Sequence, residues 1–122
     1  MIATKFPFLG IGLAVAALGC ATQASANATL LRSNPAPNAT VPSIKAIALS
    51  FNETLVPASA TVKVTVVGGK SLPVKTSMSH DHRTVLAVLP EPLGAGAYKV
   101  SWSASSVADT HPTKGDLAFR VK

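Results

Sequence analysis

The apolar residues of this chain recur at every second position, in short runs separated by turn chemistry. Ile47, Leu49 and Phe51 alternate with small or polar neighbours. Val62, Val64 and Val66 alternate with Lys63 and Thr65. Tyr98, Val100 and Trp102 repeat the pattern, and so do Leu117, Phe119 and Val121. A period of two sends successive side chains to opposite faces of an extended strand. No helix-period stretch of useful length follows residue 26. The chain is therefore constrained to sheets, each strand burying one face.

The breaks between the runs are equally clear. A strand over residues 28–32 is stopped by Asn34-Pro35-Ala36-Pro37-Asn38. Strands follow over 44–51 and 61–67, and Gly68-Gly69 is a strong two-residue hairpin signal. The return strand would cover 72–77, with Pro73 marking an edge or a bulge. A further strand covers 84–89, and 90–96 is a turn-rich connection. About seven short strands at regular spacing imply an all-β antiparallel sandwich or barrel. Val62, Val64, Val66, Tyr98, Val100, Trp102, Leu117, Phe119 and Val121 should form much of its core. No linker or second domain is visible.

Residues 1–26 read as a cleaved signal peptide and 27–122 as the domain. Lys5 precedes an apolar run over 6–18, and Ala24-Ser25-Ala26 supplies a small-x-small cleavage site. The apolar run is short for a membrane span, which needs roughly 20 residues. Two other readings stand beside this one. Ala17-Leu18-Gly19-Cys20 is a poor lipoprotein box, and the leader could remain as an uncleaved anchor. Cleavage after Ala26 would make Asn27 the first residue and place the chain in the periplasm.

Cys20 is the single cysteine of the 122 residues and falls in the leader. The domain then has neither a disulfide framework nor a thiolate metal site. It keeps a surplus of cations, because only Lys5 of the eleven Lys and Arg falls in the leader, against five Asp and Glu. These cations are spread singly and the few aromatics occupy core-like positions. That argues for a solvated surface and against nucleic-acid binding.

The chemistry-bearing residues are few: His80, His82, His111, Met78, Glu53, Asp81, Glu91, Asp109 and Asp116. There is no Gly-x-Ser-x-Gly elbow, no His-Glu-x-x-His and no phosphate-cradling loop. A binding module is favoured over an enzyme. The best cluster is Asp109-Thr110-His111-Pro112. On an extended strand, Asp109 and His111 would share one side, and Pro112 biases His111 to that geometry. Nitrogen and oxygen donors without sulfur suit Cu(II). Two ligands make half a site, and a capped turn beside a surface histidine is the competing reading. Met78-Ser79-His80-Asp81-His82 is the second cluster, and it also reads as a solvated hairpin tip.

These residues stand in an order that resembles the CopC-like periplasmic copper-binding proteins of bacterial copper resistance and homeostasis. The likeness spans nearly all of residues 28–122. Leu30-Leu31-Arg32-Ser33-Asn34-Pro35-Ala36 looks like the family's opening. Leu49-Ser50-Phe51-Asn52-Glu53-Thr54-Leu55-Val56 looks like its strand with an acidic residue before Leu. Gly96-Ala97-Tyr98-Lys99-Val100-Ser101-Trp102 looks like its Gly-Tyr-Lys-Val-x-Trp strand, and Asp109-Thr110-His111-Pro112 like its late metal motif.

The resemblance implies an immunoglobulin-like or Greek-key β-sandwich. It implies a Cu(II) site where the N-terminal residue meets Asp109 and His111, with Glu53 nearby. The family typically begins with His, whose amine and imidazole both bind copper; here the position falls on Asn27. The implied site is the Asn27 α-amine, His111, Asp109 and Glu53, one nitrogen short of the family pattern. Some relatives carry a Met-rich segment for Cu(I). Met78 stands alone in this domain, and residues 67–74 hold no Met.

The function so implied is sequestration of Cu(II) without catalysis, or its delivery by a monomer to an inner-membrane copper transporter or another periplasmic carrier. Asn27 in place of His motivates the alternative: an immunoglobulin-like structural or interaction module that has lost tight metal binding. A copper oxidase is the remaining and weakest reading, because the N-terminal imidazole is missing.

Overall fold

The computed structural model describes residues 27–122. The signal-peptide reading of residues 1–26 lies outside the described residues. Among the described residues, nine strands form two sheets: β1 (Leu30–Asn34), β2 (Thr40–Val41), β3 (Ala46–Phe51), β4 (Thr61–Val66), β5 (Ser71–Leu72), β6 (Lys75–Met78), β7 (Thr84–Val88), β8 (Gly96–Ala104) and β9 (Thr113–Val121). One sheet runs β1-β3-β7-β6 and the other β2-β9-β8-β4-β5. This is the A-B-E-D and G-F-C arrangement of an immunoglobulin-like sandwich, with short additions at the second sheet's two edges.

Seven of the nine strands have four residues or more, which accounts for the expected seven. The two-residue strands carry no alternation to read. β2 adds one parallel pairing to the otherwise antiparallel sandwich, joining β9 through Thr40↔Arg120 and Val41↔Val121. The break at residues 34–38 carries the chain from one sheet edge to the other. The first strand starts two residues later than expected, at Leu30.

The return strand after Gly68-Gly69 is also corrected. Ser71–Leu72 closes the hairpin on β4, through Thr65↔Ser71 and Val64↔Leu72. The chain then leaves that sheet, and Lys75–Met78 pairs with β7 in the other. Pro73 sits at the crossing, where its missing N–H would interrupt a ladder.

The alternating residues meet between the sheets. Ile47, Leu49, Phe51, Val85, Ala87 and Leu89 face Val64, Tyr98, Val100, Trp102, Leu117, Phe119 and Val121, all buried. Val62 and Val66 are only partly buried against them. Phe51 and Trp102 meet edge to face at 5.0 Å between centroids, a favoured aromatic geometry. Tyr98 and Phe119 stack at 5.6 Å. The Tyr98 hydroxyl donates to the Gly94 carbonyl at 2.7 Å, the tyrosine corner of this fold.

Trp102 is paired across β8 and β9 with Gly115. A Cβ at Gly115 would lie 2.6 Å from Trp102 Cζ2 and 2.9 Å from Cε2. Gly115 is needed there because the indole lies over its backbone. β8 and β9 are the longest strands, with nine residues each. Their connection, residues 105–112, carries Asp109 and His111 beyond the end of the sheet.

Candidate metal site

Four segments converge at this end of the sandwich, with residues 52–56 as their hub. Thr29 N–H donates to Asn52 Oδ1 at 2.8 Å, and Asn52 N–H donates to the Thr29 carbonyl at 3.0 Å. These bonds, with Ala28 buried in the core, hold the segment that begins at Asn27. Leu55 N–H donates to the His82 carbonyl at 2.8 Å, which brings in the β6–β7 tip. Val56 N–H donates to the Ser105 carbonyl at 2.8 Å, and Val107 N–H to the Thr54 carbonyl at 2.9 Å. Glu53 is half-buried between the anchor to Thr29 and the anchor to Val107.

Within the β8–β9 connection, Asp109 and His111 are in direct contact. Asp109 Oδ1 accepts the His111 backbone N–H at 3.1 Å and lies 2.8 Å from His111 Nδ1. The two side chains meet as the spacing suggested, but by another geometry. Residues 109–112 lie in a loop and not on an extended strand. A carboxylate that satisfies donors two residues ahead makes an Asx-type turn, which competes with strand pairing.

This geometry decides which imidazole nitrogen is available. A carboxylate offers only lone pairs, so the contact places a proton on Nδ1. In the neutral ring, Nε2 then carries the lone pair that can bind a metal. The His111 side chain is 91% exposed and the Asp109 side chain 32%. The ring therefore projects into solvent from a partly enclosed base. The side-chain bond from His111, then the backbone bond from His111, hold the Asp109 carboxyl below its ordinary value, with desolvation opposing.

The second cluster is a hairpin tip. Asp81 Oδ1 accepts the Ser79 hydroxyl at 2.6 Å and the Arg83 N–H at 3.1 Å. Those two bonds, the side-chain bond from Ser79 first, hold its carboxyl below the ordinary range. Asp81 shapes this turn, and His82 takes a left-handed φ of 55° within it. The solvated-tip reading of His80 and His82 fits this geometry.

Among the described residues, no group of three or more His, Cys, Asp or Glu converges to hold a metal. Asp109 and His111 meet as a pair, and Glu53 and the segment of Asn27 belong to the same end of the sandwich. Sequence reasoning missed Ser106. Its hydroxyl accepts the Asp109 N–H at 2.9 Å and donates to the Asp109 carbonyl at 3.2 Å. Ser106 stands in the run Ala104-Ser105-Ser106-Val107-Ala108, which reads as featureless loop.

The fold agrees with the comparisons to known proteins. The CopC domain model matches residues 30–122. The copper resistance protein C of Xanthomonas campestris pv. juglandis is 36% identical over 115 residues, covering 88% of this chain and 90% of that protein. The Escherichia coli copper resistance protein C is 34% identical over 113 residues, covering 86% and 89%. Among solved structures, PcoC from Escherichia coli, described as a methionine-rich copper resistance protein, superimposes with a TM-score of 0.73. It is 31% identical, and the match covers 80% of this chain and all of that one. CopC from Methylosinus trichosporium OB3b gives a TM-score of 0.71 at 25% identity, covering 78% and 93%. With the family model spanning nearly the whole sandwich, this chain belongs to the CopC family.

Proposed function

We propose that this protein is a periplasmic Cu(II) carrier that sequesters copper or passes it on without catalysis. The observation that carries the reading is the Asp109–His111 pair, a carboxylate-oriented imidazole with Nε2 free to bind, at the end where the segment of Asn27 is anchored. Cleavage after Ala26 would add the Asn27 α-amine as a second nitrogen. Its reference pKa near about 8 lets a metal displace the proton. Asp109 holds the ring from the Nδ1 side, opposite an ion on Nε2, and Glu53 would be the carboxylate to complete the donor set.

The donors fit the cargo. Imidazole, amine and carboxylate suit tetragonal Cu(II), whereas Cu(I) prefers thiolates and thioethers. The domain has Met78 as its sole thioether and no thiol. The methionine-rich character of PcoC is therefore not shared. The family membership supports a role in copper resistance. Delivery to an inner-membrane transporter or another carrier is the simplest use of so exposed a site.

The test is a chelator-competition titration of Cu(II) into protein that begins at Asn27. One ion should bind per chain, and H111A should weaken binding at least tenfold. Equal affinity in the two proteins would reject the reading. It would favour the alternative that Asn27 suggests, an immunoglobulin-like interaction module without a tight metal site.

A further inference from the structure

Ser106 is completely buried, although the connection that carries it runs over the end of the sandwich. Its hydroxyl is bonded in both directions to one residue, accepting from the N–H of Asp109 and donating to the carbonyl of Asp109. The two backbone groups that flank the Asp109 Cα are thus held by a single oxygen. This restrains the two backbone rotations at Asp109 and with them the direction in which its Cα–Cβ bond leaves the chain.

The base of this clamp is itself immobilised. Ser105 and Val107, on either side, are bonded to Val56 and Thr54, and Ser106 bridges to Leu55. Leu55 is fully buried in the core. Position is therefore transmitted outward from Leu55, through Ser106 and Asp109, to Nδ1 of His111. The His111 ring receives little packing of its own, as its exposure shows. Its orientation depends on Asp109, and the orientation of Asp109 depends on the hydroxyl beneath it.

We propose that Ser106 is the positioning residue of the copper site. Its hydroxyl sets the Asp109 backbone so that the carboxylate captures Nδ1 of His111 and leaves Nε2 directed at the ion. The proposal rests on the reading of His111 as a copper ligand. A hydroxyl that merely filled a loop would contribute to stability and leave the imidazole indifferent to its removal. Outer-shell partners of metal-bound histidines typically change metal affinity by about 10–100-fold. Ser106 acts one bond further away, so about tenfold is expected.

The experiment compares wild type with S106A, S106C and S106T. The tautomer of His111 is read first, by nitrogen NMR of copper-free protein at mildly alkaline pH. Wild type and S106T should hold the proton on Nδ1. S106A and S106C should shift the population toward the Nε2–H form. Cu(II) affinity should then fall about tenfold in S106A and S106C but not in S106T, with a changed EPR spectrum. S106A should add little to the loss already caused by D109A.

A wild-type tautomer and wild-type affinity in S106A, alongside a lowered melting temperature, would overturn the proposal. If S106A does not fold, S106C carries the same two measurements at nearly constant volume. Should the wild-type protein bind no copper, the carrier reading falls. The tautomer shift in copper-free protein would then still decide whether Ser106 positions His111.

Discussion

Asp109 Oδ1 lies 2.8 Å from Nδ1 of His111 and accepts the same residue's backbone N–H at 3.1 Å. One carboxylate oxygen thus fixes both the main chain and the ring of His111. The pair behaves as a unit in which Asp109 determines what His111 can offer. Removing the carboxylate in D109A should weaken Cu(II) binding by about 10–100-fold. D109N keeps one acceptor oxygen and should lose less. Competition titrations of the two variants measure the difference, and equal losses would contradict the orienting role.

Acid should break this unit late. The bonds from His111 hold the Asp109 carboxyl below its ordinary value of 3.8. A carboxyl whose native pKa is depressed favours the folded state in its ionised form. That contribution is complete above 3.8 and fades as the pH falls through the lower native value. Carboxyl carbon NMR should show Asp109 titrating below 3.8 in wild type and moving up toward it in H111A. An unmoved value in H111A would show that the contact does not persist in solution.

The N-terminal side of the site is open to gain as well as loss. N27H would add the imidazole that the family pattern carries. It should tighten Cu(II) binding by orders of magnitude if one ligand is worth a few kcal/mol, since about 1.4 kcal/mol is tenfold. Acetylation of the Asn27 amine, or one extra residue before it, should weaken binding by a comparable factor. Intact mass confirms the terminus, and the same competition titration reads each effect.

G115A tests the packing that supports the loop. The added methyl meets the Trp102 ring at 2.6 Å, so the indole or the β8–β9 ladder must shift. Overpacking of this kind costs about 1–3 kcal/mol. Urea unfolding followed by Trp102 fluorescence should show a lowered midpoint at an unchanged slope.

The long strands were legible in the sequence because their alternation is strong. Tyr98, Val100 and Trp102 face inward as their spacing requires, and so do Leu117, Phe119 and Val121. Thr40–Val41 was not legible, since two residues carry no period and the parallel pairing with β9 depends on distant chain. Nor was the change of sheet after Leu72, where Pro73 signalled an irregularity without its direction. Asp109 and His111 were found from residue type and spacing, yet their contact comes from a turn and not from strand geometry. Ser106 left no signal, because a serine in a small-residue loop looks the same whether it faces solvent or a backbone clamp.

The most direct test of the account is pulsed EPR of the Cu(II)-loaded protein beginning at Asn27. One coordinated imidazole and one amine nitrogen are expected. Modulation from the remote imidazole nitrogen, Nδ1 of His111, should be present in wild type and absent in H111A. A spectrum with the same imidazole modulation in H111A, or with none in wild type, would contradict it.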